Sequence, residues 1–163
     1  MDDSRCTDGF SAPIEDRYFE DYRAGATYEY GSVTVTEEEI IRFASQYDPQ
    51  SLHADPVAAK QGPFGGLVAS GWHTAALMMQ LFAKHYLSTV ASLGSPGVDE
   101  LRWLKPVRPG DRLRLRLHTL DTRLSRSDRR RGVVRTRAEL LDQDDEPVLR
   151  VTVVNLLRTR DGA

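Results

Sequence analysis

Residues 47–73 read YDPQSLHADPVAAKQGPFGGLVASGWH. This stretch holds an acid, an imidazole, a glycine-rich turn and the start of an apolar helix, whereas the chain on either side reads as ordinary helix or strand. Because Pro49 lacks an N–H and disfavours a helical backbone at Asp48, we expect Asp48 and His53 to lie on a curled loop. Such a loop directs both side chains at one water molecule, where a carboxylate and an imidazole share acid–base work near neutral pH.

The same stretch ends where a long helix begins. The first N–H groups of a helix have no intrahelical acceptor and lie at its positive end, so the Gly71 N–H is a candidate to stabilise a carbonyl oxygen that gains negative charge. Ser70 is expected to cap this helix, and a contact with substrate is the alternative. Phe64 and Gly66, in the glycine-rich turn, are further candidates for substrate binding.

These residues resemble a known family, the MaoC-like dehydratases of the hot-dog fold, which include the R-specific enoyl-CoA hydratases. The matching positions are Phe43–Ala44, Asp48, His53, Asp55, the Gly65–Gly66 turn and Ala69–Ser70–Gly71. The family loop reads D-x-N-P-x-H, and here it reads Asp48-Pro49-Gln50-Ser51-Leu52-His53, so acid and imidazole have the family spacing. Gln50 and Ser51 replace the usual Asn and Pro. The resemblance extends over roughly residues 19–157.

The resemblance implies an enzyme that reversibly adds water to a trans-2-enoyl-CoA and gives an (R)-3-hydroxyacyl thioester. Asp48 and His53 would be the catalytic pair, and the Gly71 N–H would receive the thioester oxygen. Coenzyme A is then part of the substrate, and no separate cofactor is expected. Two alternatives remain open, a hot-dog acyl-CoA thioesterase and a non-catalytic module that binds acyl-CoA or acyl carrier protein.

Composition limits the class of protein. The 163 residues, 40% of them hydrophobic, predict one domain over residues 17–160 after a loose polar tail of residues 1–16. The formal net charge of −2 gives no support for nucleic-acid binding. A single cysteine, Cys6, excludes an intrachain disulfide, and no apolar run is long enough for a membrane helix or a signal peptide, so we expect a cytoplasmic location. No metal site is expected, because no well-placed soft ligand accompanies Asp48, His53 and Asp55.

Apolar periodicity predicts an α+β fold. The predicted strands are Thr27–Val35, Val98–Leu104, Arg112–Leu120, a strand through Val134–Leu140, and Val148–Leu157; the predicted helices begin at Thr36, near Asp55–Pro56 and at Gly71, the last reaching Leu87. Short connections predict an antiparallel meander. A single hot-dog domain follows, with this sheet wrapped around a long central apolar helix.

Two features point beyond the single chain. The helix of residues 71–87 is apolar on nearly all of its faces, whereas one sheet covers only one side of a helix. We therefore expect a homodimer or a multiple of dimers. The acid and the imidazole would then come from one subunit, and part of the acyl pocket from the other. The basic loop Arg126–Arg131, with Arg129 and Arg130, is either a clamp for the phosphates of coenzyme A or a solvated run of charges.

Overall fold

The computed structural model describes residues 7–162. Five strands form one antiparallel sheet in the order β1-β3-β4-β5-β2, with β1 at Thr27–Thr34, β2 at Gly97–Trp103, β3 at Arg112–Leu124, β4 at Arg131–Leu141 and β5 at Pro147–Arg158. The helices are α1 (Glu37–Tyr47), α2 (Ser51–Ala54), α3 (Pro56–Ala59) and the long α4 (Gly71–His85). This is the predicted α+β hot-dog arrangement, and the prediction is confirmed.

The core lies on one face of the sheet, as the alternation in β3 predicts. Leu113, Leu115 and Leu117 are completely buried, whereas the arginines between them face outward, where Arg114 and Arg116 bind Glu29. Against the apolar face packs α4, with its buried residues Leu77, Met78, Leu81 and Phe82. The sheet therefore covers one side of the helix.

The other side of α4 is open. Trp72, Ala76, Met79 and Ala83 are exposed and follow helical spacing, so they form one apolar stripe along the helix. No helix within residues 7–162 combines the length and the apolar character needed to cross a membrane. The stripe is thus an uncovered apolar surface on a helix whose opposite side is core.

The position of β2 differs from the predicted meander. Only β3, β4 and β5 follow one another across the sheet, because β2 pairs with β5 at one edge and β1 pairs with β3 at the other. The segment between β2 and β3 is a crossover, in which the Val107 carbonyl accepts from the Ala69 N–H (2.8 Å) and the Asp111 carbonyl from the Val35 N–H (2.9 Å). These bonds tie the crossover to distant parts of the chain, which local turn signals do not reveal.

Two predicted loops are more ordered than expected. The polar loop predicted between residues 122 and 132 is shorter, because Thr122 and Leu124 pair with Val134 and Gly132 and so extend the hairpin of β3 and β4. Residues 1–6 of the predicted loose tail lie outside the described residues. Within residues 7–16, Phe10 stacks on Tyr28 with ring centroids 4.5 Å apart, so an aromatic contact holds this part of the tail on the domain.

Candidate active site

The end of α1 positions the carboxyl group of Asp48. Thr36 caps the start of the helix in a reciprocal capping box with Glu39. At the other end the Asp48 N–H still bonds to the Ala44 carbonyl (2.9 Å), but its backbone has left the helical region (φ −152°). Pro49 explains this ending, because a proline disfavours a helical conformation in the residue before it.

His53 lies on the short helix α2 and not on an irregular loop, which corrects the sequence-based expectation. The two residues still face each other, because the chain leaves the helical path at Asp48 before α2 begins. The distance from His53 Nε2 to Asp48 Oδ2 is 3.5 Å, and the two side chains are 11% and 19% exposed. The expected convergence of acid and imidazole is therefore present, by a different local structure.

A backbone carbonyl fixes the tautomer of His53. Its Nδ1 lies 2.8 Å from the carbonyl oxygen of Val68, and a carbonyl only accepts, so Nδ1 carries the proton and donates it. In the neutral imidazole, Nε2 then presents a lone pair towards Asp48. His53 Nε2 and Asp48 Oδ2 are then both hydrogen-bond acceptors, so no hydrogen bond joins them directly across the 3.5 Å. A water molecule that donates one proton to each would satisfy both.

Two side chains hold Asp48 as a carboxylate. Gln50 Nε2 donates to Oδ1 and Ser70 Oγ donates to Oδ2, each at 2.7 Å. These hydrogen bonds, that of Gln50 first, lower the pKa of Asp48 below its usual value. Ser70 Oγ also accepts from the Trp72 N–H at 3.3 Å, so it caps α4 as well as binding the acid. The Ser70 hydroxyl group therefore links the start of α4 to the carboxylate of Asp48.

Gly71 is a glycine because an indole occupies the space of a side chain. A Cβ added at Gly71 would lie 2.5 Å from Trp103 Cε2, closer than real contacts allow. The indole Nε1 donates to the Gly71 carbonyl oxygen at 2.7 Å, which fixes the ring against the start of α4. Trp103 also meets Trp72 edge to face, with centroids 5.2 Å apart. Trp103 therefore holds the first turn of α4 from outside, through the Gly71 carbonyl and the ring of Trp72.

These groups open onto a cavity of about 380 Å³, within the range of small-molecule sites. Its polar side is supplied by Asp48, His53, Ser70, Gly71, Thr74 and Lys105, and its apolar walls include Phe64, Val68, Trp72, Trp103, Leu104, Pro106 and Val107. Phe64 thus belongs to the cavity. Gly66 lies close by, where an added Cβ would be 3.5 Å from Arg108 Nη1. The cavity thus has a polar end that contains Asp48 and His53, and apolar walls over much of the remainder.

Neither Arg129 nor Arg130 lines this cavity in the described chain. Arg129 is exposed, and Arg130 lines a second cavity, of about 250 Å³. That cavity also contains Arg158, at the end of β5, whereas Trp103 pairs with Leu149 near its start. Nine residues of extended strand correspond to about 30 Å, so the two cavities lie at opposite ends of the sheet.

Two residues of the site were missed from the sequence. The sequence marks Gln50 only as a departure from the family loop, although an amide two residues after an acid is well placed to donate a hydrogen bond to that acid. Trp103 gave no local signal, because its contact with Gly71 depends on the place of β2 in the sheet. Within residues 7–162, no group of three or more His, Cys, Asp or Glu side chains is arranged to hold a metal ion.

Fold and site together define a hot-dog domain of the dehydratase class. A family model described as the MaoC like domain matches residues 21–141. The chain belongs to the MaoC-like dehydratase family, and its relatives include a 3-hydroxyacyl-thioester dehydratase and a mesaconyl-CoA hydratase.

Similar proteins agree with this assignment. The crystal structure of a MaoC-like dehydratase from Rhodospirillum rubrum is 35% identical, with a TM-score of 0.82 over 88% of this chain and 98% of that one. The 3-hydroxyacyl-thioester dehydratase Z of Mycobacterium tuberculosis is 38% identical over 86 residues, which are 50% of this chain and 56% of the relative. The mesaconyl-CoA hydratase of Cereibacter sphaeroides is 33% identical over 152 residues, 90% of this chain and 43% of the relative. The chain thus spans about half the length of these two relatives.

Proposed function

We propose that this protein reversibly adds water to the double bond of a trans-2-enoyl-CoA to give an (R)-3-hydroxyacyl thioester. The observation that carries the proposal is the pair of converging acceptors, Asp48 Oδ2 and His53 Nε2, 3.5 Å apart at the wall of an apolar cavity. A water held by both is oriented for attack on a carbon in that cavity. The named activities of the relatives, dehydration of 3-hydroxyacyl thioesters and hydration of mesaconyl-CoA, support the same reaction class.

The surroundings of the pair suggest how its duties divide. Because two hydrogen bonds lower the pKa of Asp48, its carboxylate orients the water but takes up a proton poorly. The free Nε2 lone pair of His53 accepts the proton as the water oxygen bonds to the β-carbon, and then returns it to the α-carbon. Charge that develops on the thioester oxygen is met by the Gly71 N–H at the positive end of α4.

Hydration of crotonyl-CoA tests the proposal. Asp48→Asn and His53→Ala should each lower turnover by about 100- to 10,000-fold, the usual contribution of general acid–base groups. Loss of absorbance at the conjugated double bond measures the rate, and thermal unfolding shows that the variants fold. Near-native turnover in either variant would refute the assignment. Thiol release from a saturated acyl-CoA would indicate a thioesterase instead, and tight binding without turnover a binding module.

We further propose a homodimer that joins two copies through β2 and the stripe on α4. The outer edge of β2 is unpaired in the described chain and carries exposed Val98 and Trp103, next to exposed Trp72 on α4. By contrast, the β1 edge is partly occupied, because Asp8 exchanges two hydrogen bonds with Thr27. An open edge and a contiguous apolar surface at one place favour a second copy. Light scattering at micromolar concentration should give the mass of a dimer or its multiple; a stable, fully active monomer would contradict this.

A further inference from the structure

We propose that His73 is a positioning residue for the catalytic pair, because its ring stacks on Phe43 and so fixes the distance between α1, which carries Asp48, and the start of α4. Only the kinetic part of the proposal rests on the hydratase function, since the environment of Asp48 can also be measured without turnover. The proposal gives a role to a buried histidine that lies outside the catalytic cavity.

His73 faces α1 and not the catalytic cavity. Its neighbours in the chain, Trp72 and Thr74, both line that cavity, whereas His73 does not. It borders instead a separate cavity of about 200 Å³, whose other residues all belong to α1: Glu39, Arg42, Phe43, Gln46 and Tyr47. The side chain of His73 is nearly buried, with 6% of the residue exposed. His73 therefore acts on the reaction only through other residues.

The contact between the two helices is a stack of flat rings. The ring centroids of His73 and Phe43 lie 4.8 Å apart, and the ring planes differ by 11°. Stacked rings at this separation are in van der Waals contact, so neither helix can move towards the other here without a clash. Phe43 in turn meets Tyr47, the last residue of α1, with centroids 5.0 Å apart. The stack thus extends from the first turn of α4 to the end of α1.

The imidazole of His73 serves as a neutral flat ring. Its Nδ1 is buried and has no hydrogen-bond partner among residues 7–162. Burial lowers the pKa of His73; Arg42 acts in the same direction, and Glu39 opposes it. The ring is therefore uncharged at neutral pH and makes no hydrogen bond through Nδ1. What this position provides is the face of the ring, which a phenylalanine would also provide.

The catalytic pair depends on the distance between α1 and α4, because its two members are held by different parts of the chain. Asp48 directly follows α1. His53 is tied to the segment before α4, since its Nδ1 donates to the Val68 carbonyl at 2.8 Å and the Val68 N–H donates to the Leu52 carbonyl at 3.2 Å. Ser70, the cap of α4, donates to Asp48 Oδ2 at 2.7 Å. A shift of α1 away from the start of α4 therefore lengthens this hydrogen bond and widens the 3.5 Å gap between Asp48 and His53.

The ring stack is close enough to the acid to control that distance. Phe43 precedes Asp48 by five residues and His73 follows Ser70 by three, which correspond to about 7.5 Å along α1 and about 4.5 Å along α4. Ala44, the buried residue of α1 nearest to the acid, contributes only a methyl group. The two rings are thus the bulky contact that holds the end of α1 against α4.

The titration of Asp48 tests its position without turnover. Hydrogen bonds from Gln50 and then Ser70 lower the pKa of Asp48, so loss of the Ser70 bond should let the carboxyl group take up its proton at higher pH. An NMR titration of the carboxyl carbon should show this shift in His73→Ala and the native titration in His73→Phe, which keeps a flat ring. An unmoved titration in His73→Ala, or the same shift in both variants, would overturn the proposal.

Crotonyl-CoA hydration tests the effect on the reaction. In His73→Ala, kcat should fall by about 10- to 100-fold, because a misplacement of about 1 Å costs about 100-fold in rate. The KM should change little, since His73 does not line the cavity. His73→Phe should restore most of kcat. A loss confined to KM, or an equal loss of kcat in both variants, would contradict the positioning role.

A matched control comes from the other end of the same helix. His85, the last residue of α4, stacks on Tyr30 with centroids 5.2 Å apart and ring planes 8° apart. His85→Ala removes the same kind of contact and should leave both kcat and the titration of Asp48 unchanged. If His85→Ala has the effect of His73→Ala, general loosening of the fold explains both and the proposal fails.

A variant on the α1 side keeps the test decisive if His73→Ala does not fold, which thermal unfolding shows. Phe43→Leu removes the other ring of the stack and should shift the titration of Asp48 in the same direction; a native titration in Phe43→Leu would overturn the proposal. Where both variants fold, their effects on kcat should not add, because each removes the same contact. Fully additive losses would show that the two rings act separately.

The two readouts separate this proposal from the hydratase function. A protein that does not hydrate crotonyl-CoA, yet whose Asp48 titration shifts in His73→Ala and not in His73→Phe or His85→Ala, would refute the hydratase function and keep the positioning role. Active hydration with a kcat and an Asp48 titration that are both independent of the ring at position 73 would do the reverse.

Discussion

Replacement of Gly71 by alanine tests the link between the packing of Trp103 and the reaction. The new Cβ would lie 2.5 Å, 2.6 Å and 2.8 Å from Trp103 Cε2, Nε1 and Cδ2. Carbon atoms in favourable contact stand about 3.5–4.0 Å apart, so ring and helix start must separate by about 1 Å. That movement lengthens the hydrogen bond from the indole to the Gly71 carbonyl, now 2.7 Å, and displaces the N–H that we assign to the thioester oxygen.

The expected size of the effect differs between stability and activity. Overpacking costs about 1–3 kcal/mol, and the higher helix propensity of alanine returns up to about 1 kcal/mol, so Gly71→Ala should be destabilised by roughly 0–3 kcal/mol. Activity should suffer more, because a misplacement of about 1 Å costs about 100-fold in rate. We therefore expect a folded protein whose kcat/KM for crotonyl-CoA falls about 100-fold.

A second substitution decides whether the collision is the cause. Trp103→Ala removes the ring that the new Cβ meets, so Gly71→Ala should cost much less activity in that background than in the native protein. Crotonyl-CoA hydration measures this coupling in the four proteins of the cycle, and thermal unfolding reports their stability. An equal loss of activity in both backgrounds would refute the steric reasoning, as would a Gly71→Ala protein with native kcat/KM.

Three further predictions follow from single contacts. Gln50→Leu removes the larger cause of the lowered pKa of Asp48, so the carboxyl group should take up its proton at higher pH than in the native protein; an NMR titration of the carboxyl carbon measures this, and an unmoved titration of Asp48 would contradict the role given to Gln50. Arg17→Met removes the guanidinium group that donates to the carbonyls of His85 and Tyr86 at the end of α4, at 3.1 Å and 2.8 Å. Denaturant unfolding should show that the free energy of unfolding falls by about 1–3 kcal/mol, and a smaller loss would mean that water replaces the guanidinium. Met79→Glu places a charge in the middle of the exposed stripe of α4 and should shift light scattering towards the monomer, whereas an unchanged mass would place the interface elsewhere.

Local patterns in the sequence predicted much of the fold. The alternation of Leu113, Leu115 and Leu117 with arginines gave the core face of β3, because side chains of a strand alternate between its two faces. The spacing of Asp48 and His53 predicted that the two side chains converge, because proline ends α1 at the acid. Each of these inferences needs only neighbouring residues, which the sequence displays directly.

Long-range pairing accounts for what the sequence did not reveal. Nothing near residues 97–103 shows that β2 joins β5 at an edge instead of continuing a meander. The same limit hid the contact of Trp103 with Gly71 and the pairing of Arg131 with Arg158, because each joins residues more than 25 positions apart. Register between distant strands depends on the whole core, so these features emerge only from the folded chain.

The edge position of β2 connects the reaction to assembly. If β2 continued the meander beside β3, Trp103 would lose its place against α4, and the start of that helix would lose its aromatic support. At the edge, one end of β2 closes the catalytic cavity through Trp103 while its free backbone is available to a second copy. The same strand therefore fixes the groups that we assign to the thioester and offers the open edge of the homodimer that we propose.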